Sequence, residues 1–258
     1  MDQRAKAKRF LELHTSGRLL VLPNAWDAGS AKIFEQAGFQ ALGTTSAGVA
    51  LSLGYPDGER MSRAEMLEAV RRIAGAVAMP VTADLEAGYG RAVNDAVETA
   101  RGAIAAGAVG MNFEDSTSDD RLVDVAAQVE RIRAIRKLAE AEKIAFVLNA
   151  RTDVFLLGVG DPAGRFDEAV RRANAYRQAG GDCLFVPGVT DAEMIGRLVR
   201  AITGPLNVLA GRGTPPTAEL ERLGVARVSI GGGPMRAALT LTLRIAQELA
   251  ERGTYTSF

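Results

Sequence analysis

The stretch VTADLEAGYG, residues 81 to 90, sets two carboxylates two positions apart. In an extended chain residues i and i+2 share a face. A strand running into the Gly-Tyr-Gly turn would therefore deliver Asp84 and Glu86 side by side. Two such acids repel each other unless a cation or an arginine stands between them. The same spacing recurs downstream. MNFEDS places Asn112 and Glu114 on one face, and LNARTD places Asn149, Arg151 and Asp153 on one face. Another acid, Asp57, follows Tyr55-Pro56 in a loop. Hard oxygen donors without imidazole or thiolate suit Mg²⁺ or Mn²⁺. Asp84, Glu86, Asp57 and Glu114 are thus the candidate metal residues, one bound directly and the others holding the ion's water. A plainer reading makes them structural salt bridges, with Glu114 paired to Arg151, and both can hold at once.

Arg151 is a strand-end arginine pointing inward, and a guanidinium matches a carboxylate or phosphate in bidentate geometry. Thr45-Ser46-Ala47-Gly48 reads as a turn of small residues that can aim backbone N–H groups at an oxyanion. Asn207, in the NVLAGRG stretch, adds a candidate substrate contact. Gly231-Gly232-Gly233 opens the last helix and would suit either an anion at the helix N-terminus or close packing. Arg212 is a second anion contact or only a loop charge. Cys183 reads as a small core residue. His14, the one histidine, sits at a helix C-terminus, where a protonated ring would suit the dipole; its isolation excludes a histidine dyad or a three-histidine metal site.

These residues need a scaffold, and the chain supplies a repeat. Strands are expected at Leu19–Leu22, Ala41–Thr45, Val81–Leu85, Gly110–Phe113, Ala145–Ala150, Cys183–Val186, Leu206–Leu209 and Ala226–Ile230. Helices alternate with them at about Ala28–Ala37, Arg63–Val77, Val93–Ala106, Asp124–Glu142, Phe166–Ala179, Ala192–Ile202, Ala218–Leu223 and Pro234–Arg252. Ser62 and Asp191 read as N-caps, and Ala-Gly pairs end helices at Gly38, Gly107 and Gly180. Strand then helix, repeated through 258 residues, predicts an α/β fold, a (β/α)8 TIM-type barrel in a single domain of residues 1–258. Residues 1–17 form an N-terminal helix and 234–252 the last helix. An open doubly wound sheet is the competitor, but its Gly-x-Gly-x-x-Gly turn is missing after the first strand. Barrel sites form at the C-terminal ends of the strands, where the acids, Arg151 and the small-residue turn fall.

Acidic and basic residues balance at a formal +0, with no basic stripe, so nucleic acid is not an expected partner. No apolar run reaches membrane-spanning length and no secretory signal is visible. One cysteine permits no internal disulfide. A cytoplasmic protein is expected. The apolar face of the last helix points to packing against a partner subunit, hence a homo-oligomer, dimer or tetramer.

The ordered set PNAWDAGSAKIFEQAGF, SLGYPDG, ADLEAGYG, NFEDS and NARTD, from about residue 20 to 240, resembles the isocitrate lyase/phosphoenolpyruvate mutase superfamily. The resemblance implies a (β/α)8 barrel, often a tetramer of dimers that exchange their last helix. It implies Mg²⁺ and a 2-oxo or 2-hydroxy acid whose C–C or P–C bond changes through an enolate. Asp84 matches the metal-contacting aspartate, and Asp57, Glu86 and Glu114 match acids acting through metal-bound water. Arg151 matches the substrate-holding arginine. Thr45, with the amides of Ser46 and Ala47, matches the carboxylate and oxyanion cradle, and Trp26 an aromatic lining the pocket. Glu86 stands where aspartate is usual. The family's lyase loop, Lys-Lys/Arg-Cys-Gly-His, is replaced by EDSTSDDRLVDVAAQ, which lacks cysteine, lysine and histidine. The mutase loop Lys-Thr-Asn-Ser is absent too. The leading expectation is a Mg²⁺-dependent lyase cleaving or decarboxylating a small 2-oxo or 2-hydroxy carboxylate through a metal-stabilised enolate, with Asp57, Arg151 and Glu114 as catalytic candidates. The alternatives are a P–C mutase or hydrolase of the phosphonopyruvate type, and a 2-oxo acid binding protein without turnover.

Overall fold

The computed structural model describes residues 1–117 and 119–257. Ser118, in the loop after Glu114, and Phe258 lie outside the described residues. Nine parallel strands form one sheet: β1 (Leu20–Leu22), β2 (Asn24–Ala25), β3 (Leu42–Thr44), β4 (Val81–Asp84), β5 (Gly110–Glu114), β6 (Val147–Arg151), β7 (Cys183–Phe185), β8 (Leu206–Leu209) and β9 (Arg227–Ser229). β1 pairs with β9, and β2 pairs with β3. β1 and β2 are one strand interrupted by Pro23, which has no N–H for the ladder but whose carbonyl accepts from Gly43 N at 2.8 Å. The two ends of the sheet thereby meet in one strand, giving the TIM-type barrel.

Helices fill the connections: α1 (Gln3–His14), α2 (Ala28–Gln36), α3 (Ser46–Ser52), α4 (Arg63–Ala76), α5 (Val93–Ala105), α6 (Val125–Ala141), α7 (Arg165–Ala179), α8 (Ala192–Ala201), α9 (Thr217–Arg222) and α10 (Gly233–Arg252). Ser62 starts α4 by a capping box with Glu65, and Asp191 starts α8 by accepting from Met194 N. Gly180 ends α7 at φ +116°, a conformation that costs glycine no Cβ clash. The small-residue turn at 45–48 is a correction. It is the start of α3, with Thr45 as N-cap accepting from Gly48 N at 3.4 Å. The strands are largely buried, as a sheet covered by helices requires, with polar side chains such as Asn112, Asn149, Asn207 and Arg227 buried among the apolar ones.

α1 closes the N-terminal end of the barrel. Phe10 is fully buried, and a Cβ on Gly110 would come within 3.2 Å of its ring and 2.5 Å of the Val147 carbonyl. His14 is buried here beside Phe10, its Nδ1 2.8 Å from the Phe10 carbonyl. This overturns the protonated ring expected from the helix dipole. Burial first, then the field of Arg227, lower its pKa to about 3, so it is neutral. α10 leaves the barrel with Leu239, Leu241, Leu243 and Leu249 exposed. Among the described residues no helix is long and apolar enough to cross a membrane.

Candidate active site

Asp84 ends β4 and is held from both sides. Its Oδ2 accepts the Ser46 N–H at 2.9 Å, and its Oδ1 faces the Asn112 amide, whose Nδ2 donates at 3.3 Å. Its own N–H donates to Thr44 Oγ1 at 2.8 Å. The first amide of α3 is thus committed to a carboxylate, the partner that the partial positive charge of a helix start favours. Asn112 and Asn149 face inward one strand apart, in register across β5 and β6, and Asn149 Nδ2 donates to Asn112 Oδ1 at 2.6 Å.

Glu114 and Arg151 end these strands opposite each other. Arg151 Nη1 lies 2.7 Å from Glu114 Oε2, and its Nε donates to Asp153 Oδ1 at 2.6 Å. Burial works against the guanidinium's charge, but Glu114, Asp153 and Asp84 hold its pKa above the usual arginine range. Burial pushes the Glu114 carboxyl up while Arg151 opposes that, and Ser116 Oγ donates to it at 2.6 Å. Beneath this pair lies a latch. Asp115, fully buried, accepts from the Asp153 N–H at 2.9 Å, from Tyr176 OH at 2.7 Å and from Arg172 at 3.0 Å. It pins the residue that pins Arg151.

Glu86 departs from the sequence reading of the pair. β4 ends at Asp84, and Glu86 has φ +51°. The rule that i and i+2 share a face fails once the chain leaves the extended region. Glu86 points instead to the loop before α4. Its Oε2 accepts the Glu59 N–H at 2.8 Å, and its Oε1 accepts from Tyr89 OH at 3.2 Å. Glu59 reciprocates, accepting the Tyr89 N–H at 2.6 Å. Glu59 and Tyr89 also have positive φ, 57° and 55°. Three non-glycine residues in that region are unusual, and such conformations gather at functional sites. The clasp joins the loop carrying Asp57 to the end of β4. Burial, then Asp57, Asp84 and Glu59, raise the Glu86 carboxyl to about 8. Burial and Asp84 raise Asp57 as well.

A cavity of about 250 Å³ opens here, lined by Ser46, Asp57, Glu86, Glu114, Arg151 and Asp153 among others. Its further lining includes Glu59, Arg60, Ser116 and Thr117. Glu59 and Arg60 sit in an ordinary-looking DGER loop, and no spacing rule singles them out. Other expected residues lie elsewhere. Trp26 lines a separate cavity with Leu53 and Tyr55, because Asp27 turns the chain immediately into α2 by capping Ser30 N at 2.6 Å. Asn207 is buried in the barrel, where its Oδ1 accepts from Ser229 Oγ at 3.2 Å. Thr45 caps Gly48 N at 3.4 Å, and Ala47 is the second residue of α3. The amides of Ile230 and Gly231 both donate to Asn24 Oδ1 at 2.9 Å, so the glycine run serves close packing of backbone on β2. Cys183 is fully buried, and burial pushes its thiol up to about 12.

Residues 10–250 match the sequence pattern of the phosphoenolpyruvate phosphomutase family. The chain belongs to the isocitrate lyase/phosphoenolpyruvate mutase superfamily. It is similar to an oxaloacetate decarboxylase of Rhodopseudomonas palustris (strain BisB5), 34% identical over 236 residues, 86% of this chain and 78% of that one. It is similar to the 2,3-dimethylmalate lyase of Eubacterium barkeri, 31% identical over 229 residues, 84% of this chain and 77% of that one. A solved Burkholderia cenocepacia J2315 protein, provisionally assigned as a lyase or mutase, superposes with TM-score 0.93 at 43% identity, covering 99% of this chain and 91% of that one.

In this superfamily member, the donor set decides what a divalent cation would meet. Asp57, Asp84 and Glu86 lie near one another, and the Asp57 and Glu86 carboxyls are raised by burial first and by their neighbouring carboxylates second, a repulsion that a cation would relieve. Yet among the described residues no three acids converge at ligating distance. The residues fit an ion bound directly by one carboxylate and otherwise by water, the habit of Mg²⁺.

Proposed function

We propose that the protein is a divalent-cation-dependent lyase that breaks a C–C bond of a small 2-oxo carboxylate, with loss of CO₂ from a four-carbon 2-oxo dicarboxylate as the reaction it suits best. One observation carries the reading. The cavity that joins Glu114, Arg151 and Asp57 beside Asp84 is lined, among the described residues, by carboxylates, hydroxyls and arginines, with no thiol, imidazole or amine. Aldol-type cleavage starts with removal of a proton and calls for a placed base. Decarboxylation starts without one. The C–C bond to the departing carboxylate breaks, its electron pair passes into the 2-oxo group, and a proton later replaces CO₂ on that carbon.

A cation held by Asp84 supplies a Lewis acid that draws electron density from the 2-oxo group. The chain's own residues do the rest. Ser46 N and Asn112 Nδ2 keep the Asp84 carboxylate aimed. Arg151, already fixed through Nε and Nη1 by Asp153 and Glu114, has, among the described residues, Nη2 left for a substrate carboxylate. Arg60 lines the same cavity without an ion pair among the described residues, which favours a second carboxylate on the substrate. The size of the cavity, about 250 Å³, suits a small acid.

The test is product analysis on oxaloacetate with and without Mg²⁺ or Mn²⁺, against the uncatalysed rate. Cation-dependent formation of pyruvate and CO₂ is expected; no acceleration with either ion sinks the reading. A second reading has its own support, since the matching family pattern is that of a phosphomutase. It predicts phosphonopyruvate turnover visible by phosphorus NMR. A binding role without turnover predicts thermal stabilisation by 2-oxo acids and no product. The exposed leucines of α10 support a homo-oligomer, dimer or tetramer, in which a second copy covers that helix.

A further inference from the structure

Arg227, on β9, is a guanidinium in the barrel's interior with no exposed surface and, among the described residues, no salt bridge. Its Nε and Nη1 have no hydrogen-bond partner. Burying an unpaired charge is costly, and an apolar side chain would fill the interior more cheaply, so its retention calls for a role. Its one side-chain hydrogen bond among the described residues gives the direction. Nη2 donates to Asn112 Oδ1 at 3.3 Å. β9 and β5 stand opposite each other in the closed sheet, so the side chain spans the barrel.

The amide of Asn112 carries two different ends, and which end meets Asp84 matters. Oδ1 accepts from Asn149 Nδ2 at 2.6 Å and from Arg227, which uses both of its lone pairs. Nδ2 is thereby left facing Asp84 Oδ1. The reverse orientation would put a carbonyl oxygen against a carboxylate and an N–H pair against the guanidinium. We propose that Arg227 is a positioning residue, which locks the Asn112 amide across the barrel so that its N–H faces, and fixes, the Asp84 carboxylate. Its weight for function rests on Asp84 holding the cation. Burial draws its pKa down to about 10, so it stays charged at neutral pH, and its field reaches Asp84 without contact.

The test uses the full-length protein and the variants Arg227→Met, Arg227→Lys and Asn112→Ala. Manganese ion alone is titrated and followed by electron paramagnetic resonance. Residues that orient a ligand typically change metal affinity by about 10- to 100-fold. Arg227→Met is expected to weaken Mn²⁺ binding by at least about tenfold while its Tm holds or rises, since a buried unpaired charge is gone. Arg227→Lys, which keeps one donor and the charge, is expected within about threefold of wild type. In an Asn112→Ala background the Arg227→Met change should have no further effect. Wild-type affinity in Arg227→Met, or additive losses in the double variant, overturns the proposal. Should the wild-type protein take up no Mn²⁺, the metal reading fails alone. The side-chain amide of Asn112, followed by proton–nitrogen NMR, then decides: one pair of NH2 cross-peaks in wild type and Arg227→Lys but two pairs or a broadened pair in Arg227→Met supports the lock, and a single sharp pair in all three overturns it.

Discussion

The two halves of the barrel's mouth are built from the same repeat and hold opposite things. β4 to β6 deliver Asp84, Glu114 and Arg151, and the loops beside them add Asp57, Glu59, Glu86 and Asp153. β7 to β9 end in Phe185, a loop rich in glycine and a glycine run whose first amide, with that of Ile230, is taken by Asn24. In the first half Asp84, Glu86 and Glu114 are each held by a named donor from another element. In the second the amides of Ile230 and Gly231 are held by the neutral side chain of Asn24. Chemistry is therefore confined to half a rim, and the other half reaches it from below, through Arg227. A symmetric scaffold does not imply a symmetric site. What separates the halves is where charge is tolerated, and charge is tolerated where neighbouring strands answer it.

The largest effect is expected at the centre of the charged half. Asp84→Ala removes the acceptor of both Ser46 N and Asn112 Nδ2. Cation-dependent turnover should fall by about a hundred- to a thousandfold, the range that loss of a charge-stabilising group at a reacting centre produces. Steady-state assays with and without Mg²⁺ check it, and wild-type rates would remove Asp84 from the mechanism. Glu114→Gln should be next. It leaves Arg151 half-paired at a site where the two side chains are 16% and 13% exposed. Breaking a buried pair costs about 3–5 kcal/mol, and the residual exposure brings that to about 2–3 kcal/mol. Urea unfolding would show it as a lower midpoint, and KM for the 2-oxo acid should rise because Arg151 loses its fixed aim.

How much of this was legible depended on whether the chain stayed extended. Asn112 with Glu114, and Asn149 with Arg151, lie inside β5 and β6, so period two placed them correctly. Glu86 lies one residue past Leu85, at φ +51°, where the rule no longer applies, and it is the clasp to Glu59 that keeps it in the cavity near Asp84. The alternation of strands and helices was readable because burial on both faces writes near-continuous apolar runs. α3 was not, since Ser46-Ala47-Gly48 has turn composition and becomes helical through the Thr45 cap. Trp26 was assigned to the pocket by resemblance alone, and the Asp27 cap sends it elsewhere. Arg227 sits in an unremarkable ARVS segment. Nothing local shows that its side chain crosses the barrel, because that depends on which strand stands opposite.

The floor beneath the two halves gives an intermediate effect. His14 is neutral in the folded protein, with a pKa lowered from 6.5 to about 3 by burial and by Arg227. Below pH 6.5 the unfolded chain binds a proton that the folded one refuses until about pH 3. The stability that neutral His14 permits is complete above pH 6.5 and is lost as pH falls through this window, by up to about 1.4 kcal/mol per unit. His14→Leu should flatten that dependence by one proton. Carboxylates titrate in the same range, so the quantity to follow is the difference between wild type and variant in urea midpoints from pH 7 to pH 4. Parallel curves would mean that His14 is protonated in the folded state.

The smallest effect is expected in the glycine half, and it is the sharpest test of the contrast. Gly233 is the first residue of α10, and a Cβ there would meet nothing within 4 Å. If the run were an anion cradle, a methyl group at the helix start would crowd the ligand, and inorganic phosphate would stabilise wild type but not Gly233→Ala. If the run serves packing on Asn24, the substitution should leave turnover within about twofold. It should also stabilise the fold by no more than about 1 kcal/mol, by reducing the freedom of the unfolded chain. Thermal shifts with and without phosphate separate the two. A phosphate-dependent shift that the alanine abolishes would show that both halves of the rim bind charge, one by side chains and the other by backbone.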